Sequence, residues 1–371
     1  MLHWERGTVV ELRAGWAGVT RLLVRLEDTD QTVKALAYPE LTGSPGMGES
    51  VLLNTNALRR DLGTGGEALV VARPEVQQEP QQIDGHMVKA RYTPMQTMVD
   101  AIDDPASEHY ETLRSADGLD GMPVVVADLH SSLPAVVAGI RADAPAARIA
   151  YVHTDAAALP AAYSATAAAL RAEGLLEATI SAGQSFGGDL EAVTVHSALL
   201  GARHVVGADV AVVIQGPGNL GTGTGWGFSG VQAAEAVHAA HVLGGTPIAA
   251  LRVSSADPRE RHRGLSHHSA TMFGRATLAP LLLPVLHTDD PQYSEFHASV
   301  AEQVESTIMG VGRERGVEHH NIALRSEGLR AALDVLPVKL STMGRGLDED
   351  PEAFLYAALA GRCAAGLATQ R

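Results

Sequence analysis

The sequence predicts an α/β fold with a mostly parallel, doubly wound sheet, preceded by a small N-terminal antiparallel β-barrel. Two observations support this prediction. Residues 6–73 consist of short strand patterns separated by turn residues, which is typical of a small barrel. Beyond residue 86, apolar runs without polar alternation are each followed by a helical pattern, as in a parallel sheet that is buried on both faces.

The barrel prediction depends on strand patterns within residues 1–73. These patterns lie at residues 6–14, 19–28, 31–38, 49–55 and 67–73. Residues 74–85 are polar, rich in glutamine and without an apolar period, which predicts a linker. The sequence therefore predicts a barrel domain over residues 1–73 and an α/β domain over residues 86–371.

The α/β domain is predicted from apolar runs that alternate with helical patterns. The runs lie at residues 122–128, 148–152, 176–180, 208–214, 247–253 and 278–286, and the helical patterns at 132–143, 159–174, 190–202, 231–243, 266–276 and 293–308. In such a sheet the ligand crevice lies outside the carboxyl ends of the strands. We therefore expect the functional residues in the loops that directly follow the strands.

The composition excludes several classes of function. A formal net charge of −15 argues against nonspecific binding to a phosphate backbone, which depends on many lysines and arginines. Aromatic residues make up 4% of the chain, too few for base-stacking surfaces. No apolar run is long enough for a membrane span, and the single cysteine, Cys363, excludes an internal disulfide. We expect a cytoplasmic protein that binds neither nucleic acid nor membranes, with Cys363 in its core.

Histidine followed by serine or threonine recurs where the predicted strands end. Asp128 and His130 are two residues apart and would share one side of a strand, while His153 and Asp155 follow the next strand. Histidines and carboxylates that converge can transfer protons or hold a divalent metal ion. These four residues are the predicted catalytic group, and no metal-binding motif supports the metal hypothesis further. Two more candidates of the same type are His287 and Asp289.

The same dipeptides also have a structural interpretation. Ser131, Thr154 and Asp155 would cap the helices that follow, because side-chain oxygens accept from the free N–H groups of a first helical turn. The histidines would then bond to backbone groups. The sequence leaves both interpretations open.

The segment QGPGNLGTGTGWGFSG, residues 215–230, lies between a predicted strand and a predicted helix. It formally matches the dinucleotide fingerprint, but the helix begins only near Ser229 and Arg252 stands where an acidic residue is expected. No lysine follows the glycines, so the segment is not a P-loop. Free backbone N–H groups beside a helix N-terminus bind anions, whereas a lid or a subunit contact is the alternative. The predicted ligand-binding residues here are Gln215, Gly216, Gly218, Asn219, Gly221, Gly223 and Gly225.

A basic segment follows the next predicted strand, at residues 252–275. A guanidinium group matches two oxygens of a phosphate or carboxylate, so arginines concentrated in an acidic chain favour an anionic ligand. The alternative is a solvated surface loop. The predicted ligand-binding residues in this segment are Arg252, Arg261, Arg263 and His267.

Five ordered motifs resemble the signatures of a bacterial family known only as a domain of unknown function of about this length. They are YPELTGSPGMGESVLLNTNALRRDLGTGG (38–66), HMVKARYTPMQ (86–96), QGPGNLGTGTGWGFSG (215–230), RVSSADPRERHRGLSHHS (252–269) and LSTMGRGLDEDP (340–351). The resemblance spans nearly the whole chain. It implies no reaction, substrate or catalytic residue.

Two hypotheses of function remain. The first is an enzyme that acts on a small anionic metabolite, phosphorylated or nucleotide-like, bound at the carboxyl edge of the sheet. The second is a noncatalytic ligand sensor or assembly protein, in which the glycine-rich segment is a switch and the barrel offers a partner surface. An enzyme needs a titratable group with a shifted pKa beside the ligand, whereas a sensor needs only donors. Assembly into a homo-oligomer is compatible with both.

Overall fold

The computed structural model describes residues 3–62, 65–77 and 83–370 of the chain. The predicted linker, residues 74–85, is therefore described only in part, since residues 78–82 lie outside the described residues. The order of elements follows the prediction, with a β-barrel first and an α/β region after it.

The N-terminal region forms a closed barrel. Its strands are β1 (Trp4–Trp16), β2 (Val19–Leu26), β3 (Thr32–Ala37), β4 (Ser50–Asn54) and β5 (Ala68–Ala72). They follow the order β1-β2-β3-β5-β4, and β3 with β5 is a parallel pair in an otherwise antiparallel barrel. This arrangement is that of an OB-type barrel. Val9, Leu22 and Leu53 belong to its apolar interior.

The remaining strands belong mostly to one parallel sheet. In chain order they are β6 (Met87–Lys89), β7 (Thr97–Val99), β8 (Pro123–Ala127), β9 (Ile149–Thr154), β10 (Ala178–Ala182), β11 (Leu190–Ala192), β12 (Val210–Gln215), β13 (Thr246–Ala249), β14 (Val253–Ser254), β15 (Gly264–Leu265), β16 (Leu282–Leu286) and β17 (His320–Leu324). The 8-stranded sheet has the order β11-β10-β9-β12-β8-β13-β16-β17. The pairs β6–β7 and β14–β15 form two small antiparallel sheets.

The six predicted strands are all present in this sheet, and the two further strands lie at its edges. β17 is largely exposed, so it lacks the continuous apolar run that marked the central strands. β11 occupies the start of the segment predicted as a helix over residues 190–202. The helix there begins only at Val195, after the capping residue Thr194.

Helices cover both faces of the sheet. They are α1 (Pro39–Thr42), α2 (Tyr110–Ser115), α3 (Leu133–Asp143), α4 (Ala165–Ala172), α5 (Val195–His204), α6 (Ala233–Val242), α7 (His267–Ser269), α8 (Glu295–Val304), α9 (Gly310–Glu314), α10 (Leu329–Asp334) and α11 (Pro351–Ala368). On one face α3 packs against α10 and α11, and on the other α5 packs against α6. The doubly wound prediction is confirmed.

The direction of the chain across the sheet reverses between the neighbouring strands β8 and β12. From β8 the chain crosses through α3 to β9, and from β12 it crosses through α6 to β13, on the opposite side. The loops after two such strands separate and leave a crevice at the carboxyl edge of the sheet. We call this the switch-point crevice, and Asp128 and Gln215 stand at the ends of its two strands.

The barrel and the sheet have separate apolar cores, represented by Val24 and by Val125. A smaller cluster around Tyr38 connects the two regions, and Trp16 Nε1 donates a hydrogen bond to Ala162 O at 2.6 Å. Independent folding of the two regions stays a prediction.

The composition led to expectations about the single cysteine and about membrane-spanning segments. Cys363 lies in α11 and is buried, as expected. Within the described part of the chain, no helix combines the length and the apolar composition of a membrane span.

Candidate functional site at the switch-point crevice

Asp128 follows β8 directly and is only 1% exposed. Its Oδ2 lies 3.2 Å from His268 Nδ1 and 3.6 Å from Arg252 Nη1. Burial raises the pKa of this carboxyl, but the hydrogen bond with His268 and the charge of Arg252 outweigh burial and lower the pKa overall. Asp128 is therefore ionised at neutral pH and orients the ring of His268.

Three histidines gather beside Asp128, namely His262, His267 and His268, which we call the histidine cluster. One ring nitrogen of each lies within 4.8 Å of one ring nitrogen of each of the others. Burial, reinforced by neighbouring arginine and histidine groups, lowers the pKa of His262 to about 3 and that of His267 to about 4. Both rings are therefore neutral at pH 7.

Local structure holds the cluster in place. Ser266 caps α7 by accepting from the His268 backbone N–H at 3.2 Å, and its Oγ lies 2.7 Å from His262 Nδ1. The ring of Phe228 stacks on His268, with centroids 3.8 Å apart and planes at 5°. A π-helix, Ala270–Ala276, follows α7 directly, and π-helical turns often lie at functional sites.

Phe228 ends the glycine loop, which we define as residues 216–228. The loop is ordered: Gly221 and Phe228 form an antiparallel bridge, and Thr222 N donates to Gly227 O at 2.7 Å. The backbone N–H groups of Gly223, Thr224 and Gly225 donate to no acceptor within the described residues. The tip of the loop therefore offers a row of free donors to solvent.

The glycine loop approaches two arginines. A Cβ built on Gly223 would lie 3.9 Å from the Arg261 guanidinium carbon, and the Arg275 guanidinium stacks over Trp226 at 4.5 Å. Arg261 and Arg263 are exposed, and neither has an ion pair within the described residues. The structure thus brings Arg261 to the loop and places Arg252 in the interior beside Asp128. Among the described residues, Arg263 makes no hydrogen bond or ion pair with the loop.

The start of the glycine loop packs against the sheet. Gln215 Nε2 donates to Asp128 O at 2.7 Å, and a Cβ on Gly216 would lie 2.6 Å from His153 Nε2. Several buried atoms near the crevice have no hydrogen-bond partner within the described residues, among them His153 Nδ1, Gln215 Oε1, Asn219 Nδ2 and His267 Nε2. Buried polar atoms are usually paired, so such atoms are candidates for binding a ligand or water.

His130 and His153, the strand-end histidines, have mainly internal partners. His130 Nε2 lies 2.7 Å from Ser164 Oγ, and His130 Nδ1 lies 3.3 Å from Tyr151 OH. His153 Nε2 donates to Ala158 O at 2.8 Å. Burial lowers the pKa of His130 to about 3 and that of His153 to about 4.

The expectation that Asp128 and His130 share one side of a strand is wrong, because β8 ends at Ala127 and His130 begins a 3₁₀ turn. The turn directs the two side chains to different partners, Asp128 to His268 and His130 to Ser164. The sequence spacing therefore did not bring these two groups together.

Asp155 and the pair His287–Asp289 also lie apart from the cluster. Asp155 Oδ2 accepts from the Gln184 N–H at 2.8 Å, and its Oδ1 accepts from Gln232 Nε2 at 3.1 Å. His287 Nδ1 accepts from the Asp289 N–H at 3.0 Å after β16. None of these contacts reaches the histidine cluster.

The helix-capping alternative is wrong for Ser131 and Asp155. Helix α3 has no side-chain cap, and Ser131 Oγ donates to Thr342 Oγ1 at 3.1 Å. Helix α4 is capped by Ser164 instead of Asp155, since Ser164 Oγ accepts from the Ala167 N–H at 2.9 Å. A longer loop than the sequence suggested precedes α4, so the capping residue lies further along the chain.

Sequence reasoning missed His262 and His268 as site residues and gave Phe228 no role. Of the adjacent pair His267–His268, only His267 was predicted as a site residue. The cluster could have been suspected from the short spacing between His262 and this pair, in a segment that follows a strand of the sheet. The turn Glu260–His262 and the cap at Ser266 fold the segment back on itself. The spacing of the histidines in the sequence does not show that their rings then meet.

Fold and site define an α/β protein with an OB-type barrel, a glycine loop and a buried histidine cluster at its switch-point crevice. The chain belongs to the family described as "Protein of unknown function (DUF3866)", whose match covers residues 34–361. The family resemblance inferred from the motifs is thereby confirmed. No curated protein and no solved structure matches the chain.

Proposed function

We propose that the protein is an enzyme that binds a small anionic metabolite, phosphorylated or nucleotide-like, in the switch-point crevice. The carrying observation is the position of the free N–H groups of the glycine loop. They lie next to Arg261 and beside the histidine cluster, in which the His262 and His267 rings are neutral at pH 7 because their pKa values are lowered. Hydrogen-bond donors for an anion and imidazole rings thus lie side by side in the crevice.

Electrostatics favours an anion at this loop. Backbone N–H groups and a guanidinium both donate hydrogen bonds, and no carboxylate pairs with Arg261 within the described residues. Hydrogen bonds to a charged group contribute about 1.5 to 3 kcal/mol each, so two or three of them support millimolar to micromolar affinity. Such affinity suits a metabolite.

The chemistry is assigned to the imidazoles. A neutral ring nitrogen can accept a proton or a metal ion, and Asp128 acts on His268 as a positioning residue. His153 supports the base of the glycine loop through Gly216, and Asp155 joins the loop at Gln184 to Gln232. We assign both residues, together with His130 beneath them, to support of the site.

Isothermal titration with inorganic phosphate, pyrophosphate and nucleoside phosphates tests the anion site. We expect Arg261→Ala to weaken binding of the tightest of these anions roughly tenfold, as the loss of about 1.4 kcal/mol implies. Arg60→Ala, at an exposed arginine of the barrel, is the matched control and should bind as the wild type does.

The thermal melt of each unliganded variant separates binding from folding. Arg261 is exposed and has no ion pair within the described residues, so we expect Arg261→Ala to keep the melting temperature of the wild type. Equal anion affinity in wild type and Arg261→Ala would remove the loop site from consideration.

A second candidate function, a ligand sensor, is favoured by a cavity of about 550 Å³ between barrel and sheet. Its lining is mainly apolar and includes Tyr38 and Leu69 of the barrel, Phe186, and Pro217 and Gly218 at the start of the glycine loop. A ligand in this cavity would touch both regions and the loop at once. The cavity favours an uncharged apolar ligand, so a thermal-shift screen that yields only apolar ligands would support the sensor over the enzyme.

A further inference from the structure

We propose that the histidine cluster is a zinc site, in which His262, His267 and His268 each supply one imidazole nitrogen. Their nitrogens already lie within 4.8 Å of one another. Zinc bonds imidazole nitrogen at about 2.1 Å, and tetrahedral ligands then stand about 3.4 Å apart. Binding of zinc therefore requires the ring nitrogens to approach one another by up to about 1.4 Å.

The hydrogen bonds of the rings leave the correct nitrogens free. His262 Nδ1 bonds with Ser266 Oγ. His268 Nδ1 lies 3.2 Å from Asp128 Oδ2 and 3.1 Å from Arg252 Nη1, so the Nε2 atoms of both rings are available to a metal ion. A ligating histidine typically donates its other N–H to a carboxylate or hydroxyl group in this way. A metal ion on His268 Nε2 selects the tautomer in which Nδ1 donates to Asp128. Arg252 Nη1, which also lies beside Nδ1, would then donate to the Asp128 carboxylate alone.

His267 supplies an independent observation. Its Nε2 is buried and has no hydrogen-bond partner within the described residues, although its ring lies 4.4 Å from that of His268 and 4.9 Å from that of His262. A buried nitrogen without a partner is unfavourable unless something binds it. The shared space between the three rings is the place at which one ion satisfies all of them.

The chemistry of the donors selects the kind of ion. Imidazole nitrogen binds zinc and neighbouring transition metals, whereas Mg²⁺ and Ca²⁺ take oxygen ligands. Three protein ligands leave the fourth position of zinc open, as in catalytic sites. A Cβ on Gly221 would lie 3.9 Å from His268 Nε2, so a glycine of the loop lies next to this position.

The inference deepens the proposed function, because the open position would take an oxygen of the anion. Its test does not use the anion, so the two proposals can fail separately. The full-length protein is stripped with a chelator, titrated with Zn²⁺ alone, and loaded with Co²⁺, whose visible absorption reports four-coordinate geometry. We expect one equivalent of Zn²⁺ and a four-coordinate Co²⁺ spectrum.

Variants assign the ligands. We expect His262→Ala, His267→Ala and His268→Ala each to weaken Zn²⁺ binding at least a hundredfold, and His130→Ala and His153→Ala to bind as the wild type does. His267 is less buried than the other two histidines, so His267→Ala tests the assignment even where the His262→Ala and His268→Ala variants do not fold. Wild-type affinity in His267→Ala, no Zn²⁺ or Co²⁺ binding by the wild type, or loss of the metal only in His130→Ala or His153→Ala would overturn the assignment.

Discussion

The strand-end histidines and the histidine cluster share the carboxyl edge of one sheet, but their ring nitrogens are used differently. His130 bonds through both nitrogens, to Tyr151 and to Ser164. In the cluster, His267 Nε2 has no partner within the described residues, and His268 is oriented by the carboxylate of Asp128. His153 Nδ1 is also buried and has no partner within the described residues. The cluster differs from the strand-end histidines in that three rings and a carboxylate meet there.

The first difference between the two groups is the buried carboxylate, and its removal should have the largest effect. Asp128→Asn keeps the shape of the side chain but removes the charge beside Arg252, whose side chain is 9% exposed. Removing one partner of a buried ion pair typically costs 3 to 5 kcal/mol. Since the two groups are 3.6 Å apart, we expect a loss of about 3 kcal/mol in the free energy of unfolding, measured in urea.

Asp155→Asn is the matched control for this variant. Asp155 accepts hydrogen bonds from Gln184 and Gln232 but has no ion pair within the described residues, and an amide oxygen can replace one of its acceptors. We expect a loss of about 1 kcal/mol. If both variants lose the same amount, the charge of Asp128 has no special part in the cluster.

The sequence predicted the fold better than the site. Strands such as β8 and β12 were predictable because both faces are buried, so the apolar run is continuous. The edge strand β11 was not, since only three residues pair and the helical pattern of α5 follows almost at once. The position of the crevice at the carboxyl edge followed from topology alone.

Within the site, the glycine loop and Arg261 were predicted from the sequence, and the structure brings them together. His262 and His268 were missed because their proximity depends on a turn and a cap, which spacing does not show. His130 was predicted as catalytic because it follows a strand, and the bond of Ser164 to its ring is a contact across 34 residues. The hydrogen-bond partner of a buried side chain depends on the tertiary structure, so the sequence alone does not predict it.

The second comparison is the response to pH with and without metal, because burial lowers the pKa of His153 and of His267 alike to about 4. Burial depresses the pKa of His153 to about 4, so between pH 6.5 and 4 the unfolded chain takes up a proton that the native chain does not. Its contribution to stability is therefore complete above about pH 6.5 and is lost as the pH falls. At pH 5 the loss is about 2 kcal/mol, from 1.36 kcal/mol per pH unit.

His153→Gln should therefore show a smaller loss of unfolding free energy between pH 7.5 and pH 5 than the wild type, by about 2 kcal/mol. Urea titrations at the two pH values measure this, with His320→Gln on the exposed edge strand as control. We expect the same difference with and without Zn²⁺, because His153 belongs to the scaffold. A difference that vanishes in Zn²⁺ would mean that the strand-end histidines bind the metal after all.

The third comparison is between a glycine of the loop beside the cluster and a glycine outside that loop. Substitution of either should have the smallest effect on stability. Gly223 in the glycine loop and Gly316 after α9 both have a positive φ, of 80° and 77°. Valine at either position meets the same backbone strain of roughly 1 to 2 kcal/mol. A side chain at Gly223, however, points toward the Arg261 guanidinium, whereas a Cβ on Gly316 meets no atom within 4 Å in the described structure.

We therefore expect Gly223→Val and Gly316→Val to lose similar stability in thermal melts, and only Gly223→Val to bind the anion more weakly in isothermal titration. The added methyl groups would occupy the space between Arg261 and the free N–H groups of the loop, so the anion could not reach both kinds of donor. Should Gly223→Val bind the anion as Gly316→Val does, the loop glycines serve the fold of the loop itself, and the anion is held by other donors of the crevice.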